Sequence, residues 1–180
     1  TLIFVAVLSL EISYKYTIAL ILFVIASITD YLDGKIAREC NLITNFGKLM
    51  DPLADKVLVA AAFVMLCAAD RFPAWILVVI LTREFLVTGL RLVASSQGAV
   101  LAADSLGKWK TTLQMATAIY LFLFLATQEP AMMALAPVFK APLMAPHQLG
   151  MFLVGLALIS TVVSGWNYVW KNWNLIEWDA

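Results

Sequence analysis

Long apolar runs, separated by short polar segments, make up most of this chain. Apolar residues follow one another without alternating with polar ones, a pattern that favours helices over the strands of a barrel. Most runs approach the roughly 20 residues that a helix needs to cross a bilayer. The first run is too short to cross, so we expect the chain to begin inside a first transmembrane helix. The predicted helices cover residues 1–10, 16–38, 44–69, 74–95, 107–127 and 149–169.

Polar and helix-breaking residues separate these predicted helices. Thr44 is a good N-cap for the third helix. Asp70 and Pro73 mark the turn before the fourth. Residues 129–148 contain four of the six prolines, so we predict a loop there with room for a short helical piece. No repeat or compositional boundary interrupts the pattern, and we expect a single domain over residues 1–180.

Composition sets the class of protein. Hydrophobic residues make up 63% of the chain and charged residues 13%, whereas a soluble domain has roughly half and a quarter. In lipid the backbone must satisfy its own hydrogen bonds, so we predict an all-α, polytopic membrane protein of about six transmembrane helices. The 12 basic and 12 acidic residues cancel, which argues against a nucleic-acid partner.

Four aspartates lie together in one polar region between two apolar runs. Asp30 and Asp33 are spaced i, i+3, and Asp51 and Asp55 are spaced i, i+4, so each pair shares one face of its helix. Carboxylates near a membrane boundary are costly, and four together repel one another unless cations hold them. Carboxylate oxygens are ligands that point to Mg²⁺, Mn²⁺ or Ca²⁺ rather than zinc.

The basic residues predict the orientation of this acidic region. Cytoplasmic loops of membrane proteins carry an excess of Lys and Arg. Seven basic residues can be placed on the same side of the membrane as the acidic region, which leaves only Lys15, Arg71 and Lys140 on the opposite side. We therefore predict that the acidic region faces the cytoplasm. The seven are Lys35, Arg38, Lys48, Arg91, Lys108, Lys110 and Lys171.

Charged residues also interrupt the fourth predicted helix. Arg83 and Arg91 are eight residues apart, close to two turns, so they lie roughly on one face. A structural interpretation pairs Arg83 with Glu84 or with an acid of another helix, because intramembrane charges usually pair. A functional interpretation makes the arginines a phosphate clamp, for which the guanidinium geometry is well suited. The sequence leaves both interpretations open.

The acidic region resembles the signature of the CDP-alcohol phosphatidyltransferase family, Asp-x2-Asp-Gly-x2-Ala-Arg-x8-Gly-x3-Asp-x3-Asp. The segments Arg83-Glu84-x4-Gly89-Leu90-Arg91 and Gly107-Lys108-x-Lys110-Thr111 are similar to those of its phosphatidylglycerophosphate synthase subgroup. The resemblance covers residues 16–170. All eight fixed positions of the signature are filled, by Asp30, Asp33, Gly34, Ala37, Arg38, Gly47, Asp51 and Asp55.

This resemblance implies an enzyme that transfers the phosphatidyl group from CDP-diacylglycerol to glycerol 3-phosphate, giving phosphatidylglycerophosphate and CMP. It also implies two divalent cations, Mg²⁺ or Mn²⁺, and a homodimer in the lipid of a bacterial inner (cytoplasmic) membrane. The implied metal ligands are Asp30, Asp33 and Asp51, with Asp55 near the second ion. The implied nucleotide and CDP-lipid residues are Gly34, Ala37, Arg38 and Gly47. The implied acceptor phosphate residues are Arg83, Arg91, Lys108 and Lys110.

One acid of the motif is also a candidate catalytic base. The acceptor hydroxyl loses its proton as it attacks phosphorus, and a carboxylate within hydrogen-bond reach can take that proton. Asp55 is the candidate because it is the last acid of the motif and lies about one turn beyond Asp51.

Two alternatives to this function stay open. The same chemistry could use another alcohol acceptor, such as serine or inositol phosphate, although the basic residues favour a phosphorylated one. A divalent-cation transporter could use the same acids. Transporter sites, however, lie near the bilayer midplane, whereas these acids lie near predicted helix boundaries.

Overall fold

The computed structural model describes residues 1–39, 45–96, 105–137 and 145–172. All regular secondary structure within these residues is helical, as predicted. The α-helices are α1 (Leu2–Ser9), α2 (Lys15–Glu39), α3 (Asn45–Ala68), α4 (Ala74–Ser96), α5 (Ser105–Ala126) and α6 (Pro146–Asn172), and a short 3₁₀ helix covers Met133–Leu135.

The predicted helix positions are confirmed to within a few residues. The largest difference is at α6, which begins at Pro146 and ends at Asn172, three residues beyond the prediction at each end. Proline fits the first turn of a helix, where its missing N–H has no intrahelical partner to lose. The predicted N-cap Thr44 lies outside the described residues.

Helix α5 lies at the centre of the packing. It packs along α6 and α2, while α4 packs mainly on α6. Phe4, Phe23 and Phe122 join α1, α2 and α5 through ring contacts, with centroids 5.5 to 6.3 Å apart. A Cβ atom at Gly150 of α6 would lie 2.8 Å from Cδ2 of Leu121. This glycine therefore allows α5 and α6 to approach closely.

Helix α3 ends in a Schellman motif. Asp70 adopts a left-handed conformation with φ of 58°. Its N–H donates to the carbonyl of Cys67 at 3.0 Å, and the N–H of Arg71 donates to the carbonyl of Leu66 at 3.1 Å. These two bonds satisfy carbonyl groups at the helix end.

The first turn of helix α2 donates hydrogen bonds to a carboxylate that is distant in sequence. Glu129, from the turn after α5, accepts the N–H groups of Tyr16 at 2.8 Å and Thr17 at 2.9 Å. Its second oxygen also accepts the Thr17 hydroxyl at 2.6 Å. A negative charge at this end of the helix is favoured by the helix dipole.

Within the described residues, α6 is long and apolar enough to cross a membrane, with a mean hydropathy of 1.9. Helix α3 contains a shorter apolar segment, Lys56–Ala68. Three charged residues, Arg83, Glu84 and Arg91, interrupt the apolar character of α4. The all-helical fold is thus confirmed, and membrane crossing by about six helices stays a prediction.

Candidate active site

The acidic motif lies on two consecutive helices that contact each other. Residues 30–38 occupy the C-terminal part of α2, and residues 47–55 occupy the N-terminal part of α3. Both aspartate pairs therefore have the helical spacing predicted for them. Asp30 is exposed, and the side chains of the other seven signature residues lie outside the described part of the chain. The four aspartates would offer carboxylate oxygens, the type of ligand that Mg²⁺ and Mn²⁺ prefer.

A second polar region forms where α4 and α5 meet, around Glu84. Nζ of Lys110 donates to Oε1 of Glu84, and Nη1 of Arg83 lies 3.5 Å from the same oxygen. Lys110 is only 3% exposed, so its charge depends on this partner for compensation. The pairing of Arg83 with Glu84, expected under the structural interpretation, is therefore present.

The described side chains of this region carry more positive than negative charge despite the pairing. Arg83 and Lys56 lie close enough to Lys110 to interact with it electrostatically, and Arg91 lies close enough to Arg83. Among the described side chains of this region, one carboxylate, Glu84, thus lies near four cations from three helices. The arrangement is able to attract an anion such as a phosphate.

Lys56 connects this basic region to the acidic motif. It follows Asp55 directly in α3, and its Nζ donates to the Thr88 hydroxyl of α4. The same hydroxyl donates to the carbonyl of Glu84 at 2.6 Å. The helix that carries Asp51 and Asp55 is therefore tied to the helix that carries the arginines.

Helix α6 supplies hydrogen-bond partners for both arginines. Nη2 of Arg83 donates to the Ser164 hydroxyl at 2.7 Å. Nε of Arg91 donates to the Tyr168 hydroxyl at 3.1 Å, and the Arg91 guanidinium carbon lies 5.1 Å from the centroid of the Tyr168 ring. Both arginines are thus held against one face of α6.

Three of the four residues predicted for the acceptor phosphate come together in this way: Arg83, Arg91 and Lys110. Lys108 is exposed, and the structure shows no hydrogen bond or ion pair between its side chain and the described residues. It precedes Lys110 by two positions, and residues with that spacing point to different sides of a helix.

We name these side chains the basic cluster: Lys56, Arg83, Arg91 and Lys110, with Glu84 among them. The sequence pattern did not indicate a site role for Lys56, nor for Ser164, Gly165 and Tyr168 on α6. A signal existed for the α6 residues, because small and hydroxyl-bearing side chains recur at helical spacing within an apolar run. The motif did not identify Lys56, because only its contacts with residues of other helices place it in the basic cluster.

Comparisons with known proteins agree with the sequence pattern. The family model of CDP-alcohol phosphatidyltransferases matches residues 1–163. A Bacillus subtilis protein named CDP-diacylglycerol–glycerol-3-phosphate 3-phosphatidyltransferase is 45% identical over 157 residues, covering 87% of this chain and 74% of its own length.

Two further relatives have the same name and match a shorter stretch. The Mycoplasma genitalium protein is 38% identical over 116 residues, which cover 64% of this chain and 49% of its own length. The Rickettsia typhi protein is 48% identical over 95 residues, covering 53% of each chain. The matched part of this chain thus spans about half the length of these two relatives.

Proposed function

Because the chain belongs to the CDP-alcohol phosphatidyltransferase family, we propose that it transfers the phosphatidyl group of CDP-diacylglycerol to glycerol 3-phosphate. The observation that carries this proposal is the match over 87% of the chain to a Bacillus subtilis protein named for that reaction. The products are phosphatidylglycerophosphate and CMP. The resemblance predicted from the motif is confirmed at the level of the family.

The acidic motif is the proposed reaction centre. The family generally depends on a divalent metal, and Asp30, Asp33 and Asp51 would hold two ions, Mg²⁺ or Mn²⁺, with Asp55 near the second. The metal, when bound, neutralises the pyrophosphate and stabilises the leaving oxygen. The acceptor hydroxyl attacks the phosphorus attached to diacylglycerol, the bond from that phosphorus to CMP breaks, and Asp55 takes the hydroxyl proton.

The remaining signature residues form the proposed nucleotide and CDP-lipid site. Gly34 and Gly47 have no side chain, so the nucleotide can approach the backbone closely. Ala37 keeps its position small, and Arg38 places a positive charge for the diphosphate. All four lie on the same parts of α2 and α3 as the aspartates.

The basic cluster is the proposed site for the acceptor phosphate. A small dianion gains charge-assisted hydrogen bonds from guanidinium and ammonium groups, and the cluster contributes them from Arg83, Arg91 and Lys110. Lys108 is an outer contact in this proposal, because its charge is exposed. The link from Lys56 to Thr88 supports a short path between the acceptor phosphate and the acidic motif.

The membrane arrangement follows from the substrates. The family is membrane-associated, and one substrate is a lipid while the other is water-soluble. We propose about six transmembrane helices in a single domain over residues 1–180, in a bacterial inner membrane with the active site facing the cytoplasm. We further propose a homodimer, as the family resemblance implies.

A panel of acceptors tests the function. Purified protein is incubated with CDP-diacylglycerol, Mg²⁺ and one of glycerol 3-phosphate, serine or inositol phosphate, and CMP release is measured. We expect release with glycerol 3-phosphate, and background levels with the other two. The Asp51→Asn variant is the control for contaminating activity. Faster CMP release with serine or inositol phosphate would overturn the assignment of the acceptor.

A further inference from the structure

The buried face of α6 changes character along its length. Its first part is apolar, with Val154 and Ala157 buried, and its second part is polar. Thr161, Ser164 and Tyr168 are spaced by three and four residues, so they lie on one face. The polar part faces Arg83 and Arg91 of α4, as their hydrogen bonds show.

Gly165 and Ser164 fix the path of Arg83. A Cβ atom at Gly165 would lie 2.7 Å from Cγ and 3.3 Å from Nε of Arg83. The arginine side chain therefore crosses α6 directly over the glycine, before its Nη2 reaches the Ser164 hydroxyl at 2.7 Å. Cγ is near the base of the side chain, so an added methyl group cannot be avoided by moving only the guanidinium.

Tyr168 holds Arg91 in two ways. Its hydroxyl accepts from Nε of Arg91, and its ring lies under the guanidinium at 5.1 Å. Tyr168 is only 2% exposed, so its own position is set by packing. Within the described residues this hydrogen bond uses Nε, and a guanidinium carries four further N–H donors on its two terminal nitrogens.

Both arginines have hydrogen-bond partners on the same face of α6. Arg83 and Arg91 are eight residues apart, about 12 Å along the helix axis. Their partners Ser164 and Tyr168 are four residues apart, about 6 Å along α6. The guanidinium groups repel each other, and neutral partners on α6 hold them together without adding negative charge that would compete with a phosphate.

We propose that Ser164, Gly165 and Tyr168 are positioning residues, which preorganise Arg83 and Arg91 to bind the phosphate of the acceptor. This inference rests on the proposed function. A free arginine loses rotamer freedom when it binds an anion, and an arginine already held in place loses less. The three α6 residues therefore act on acceptor affinity without touching the acceptor.

The test compares substitutions on α6 by their effects on KM for each substrate. Gly165→Ala places a methyl group against Arg83, and we expect KM for glycerol 3-phosphate to rise about tenfold or more. Tyr168→Phe keeps the ring and removes the acceptor of the Arg91 hydrogen bond, so we expect a rise of about three- to tenfold. KM for CDP-diacylglycerol should change by less than about twofold in both variants.

Two controls separate positioning from general damage. Gly155→Ala lies on the same helix, and its Cβ meets nothing within 4 Å, so we expect wild-type kinetics. In an Arg83→Ala background, Gly165→Ala should add no further change in KM, because its target side chain is gone. A purely structural effect would persist in that background.

The outcomes distinguish this inference from the proposed function. If the wild type does not use glycerol 3-phosphate, the proposed function fails. In a second outcome, the wild type uses glycerol 3-phosphate and Arg83→Ala raises KM for it. If Gly165→Ala and Tyr168→Phe then leave this KM unchanged, as Gly155→Ala does, only the positioning role is overturned. An equal rise of both KM values, or a Gly165→Ala effect that survives in the Arg83→Ala background, would also overturn it.

Discussion

At the scale of single residues, Lys108 and Lys110 show that two identical side chains close in sequence can lie in different environments. They lie two positions apart in α5, and one is exposed while the other is buried against Glu84. An exposed charge is screened by water and salt, whereas a buried one acts at close range. Both were predicted from the sequence to bind the acceptor phosphate, and only Lys110 lies in the basic cluster.

A matched pair of substitutions tests this difference. Lys110→Met keeps a long unbranched side chain, one heavy atom shorter, but removes its charge, and we expect KM for glycerol 3-phosphate to rise about ten- to a hundredfold. Lys108→Met should raise it about threefold or less. Steady-state kinetics with both substrates measure the effect. Equal effects of the two variants would mean that Lys108 contacts the acceptor as directly as Lys110.

Asp55 gives the second prediction at this scale. If its carboxylate takes the proton of the acceptor hydroxyl, Asp55→Asn should lower kcat by about 10²- to 10⁴-fold. Binding of CDP-diacylglycerol should stay measurable, because Asp30, Asp33 and Asp51 still provide metal ligands. Metal content is measured on the same sample as turnover. Normal metal content with near wild-type kcat would remove Asp55 from the role of base.

At the scale of the element, two helix ends are completed in different ways, one by residues just beyond the helix and one by a residue distant in the chain. The Schellman motif at Asp70 uses residues within one turn of α3. The start of α2 instead depends on Glu129, more than 110 residues away. The order of the helices along the chain therefore did not reveal how α2 begins.

The cap on α2 predicts a loss of stability without a loss of substrate affinity. Glu129→Ala removes the acceptor of three hydrogen bonds, and we expect the free energy of unfolding to fall by about 2–4 kcal/mol. KM should change little, since Thr17 and Asp30 are about 20 Å apart along α2. Thermal unfolding in detergent measures the stability. Glu11→Ala, at an exposed position, is the control and should unfold like the wild type.

At the scale of the whole molecule, the two polar regions lie on different but overlapping sets of helices. The acidic motif lies on α2 and α3, and the basic cluster draws on α3, α4 and α5, with its partners on α6. Helix α3 belongs to both, through Asp55 and Lys56. In the proposed function, this arrangement would place the site for cations beside the site for an anion, as a reaction between a pyrophosphate and a phosphorylated alcohol requires.

Removal of metal tests the acidic half of this arrangement. EDTA should abolish CMP release, and Mg²⁺ or Mn²⁺ added in excess should restore it, because carboxylate ligands bind hard cations reversibly. Binding of glycerol 3-phosphate to the basic cluster should weaken less than turnover, since its contacts come from side chains. Full turnover in the presence of the chelator would contradict the proposed metal site.

The sequence by itself determined the helices, the position of the acidic motif and the family. These features depend on local spacing. Apolar residues persist over the length of a helix, and within each aspartate pair the spacing is three (Asp30 and Asp33) or four (Asp51 and Asp55). Such patterns are readable along the chain, because neighbours in sequence are neighbours on a helix.

Only the tertiary structure decided which helix faces meet. The pairing of Lys110 with Glu84 joins residues 26 positions apart, and the contacts of the arginines with α6 join residues 77 and 81 positions apart. Helical periodicity states which residues share a face, but not which face another helix covers. That choice depends on how side chains of different helices fit together, as Gly165 does with Arg83.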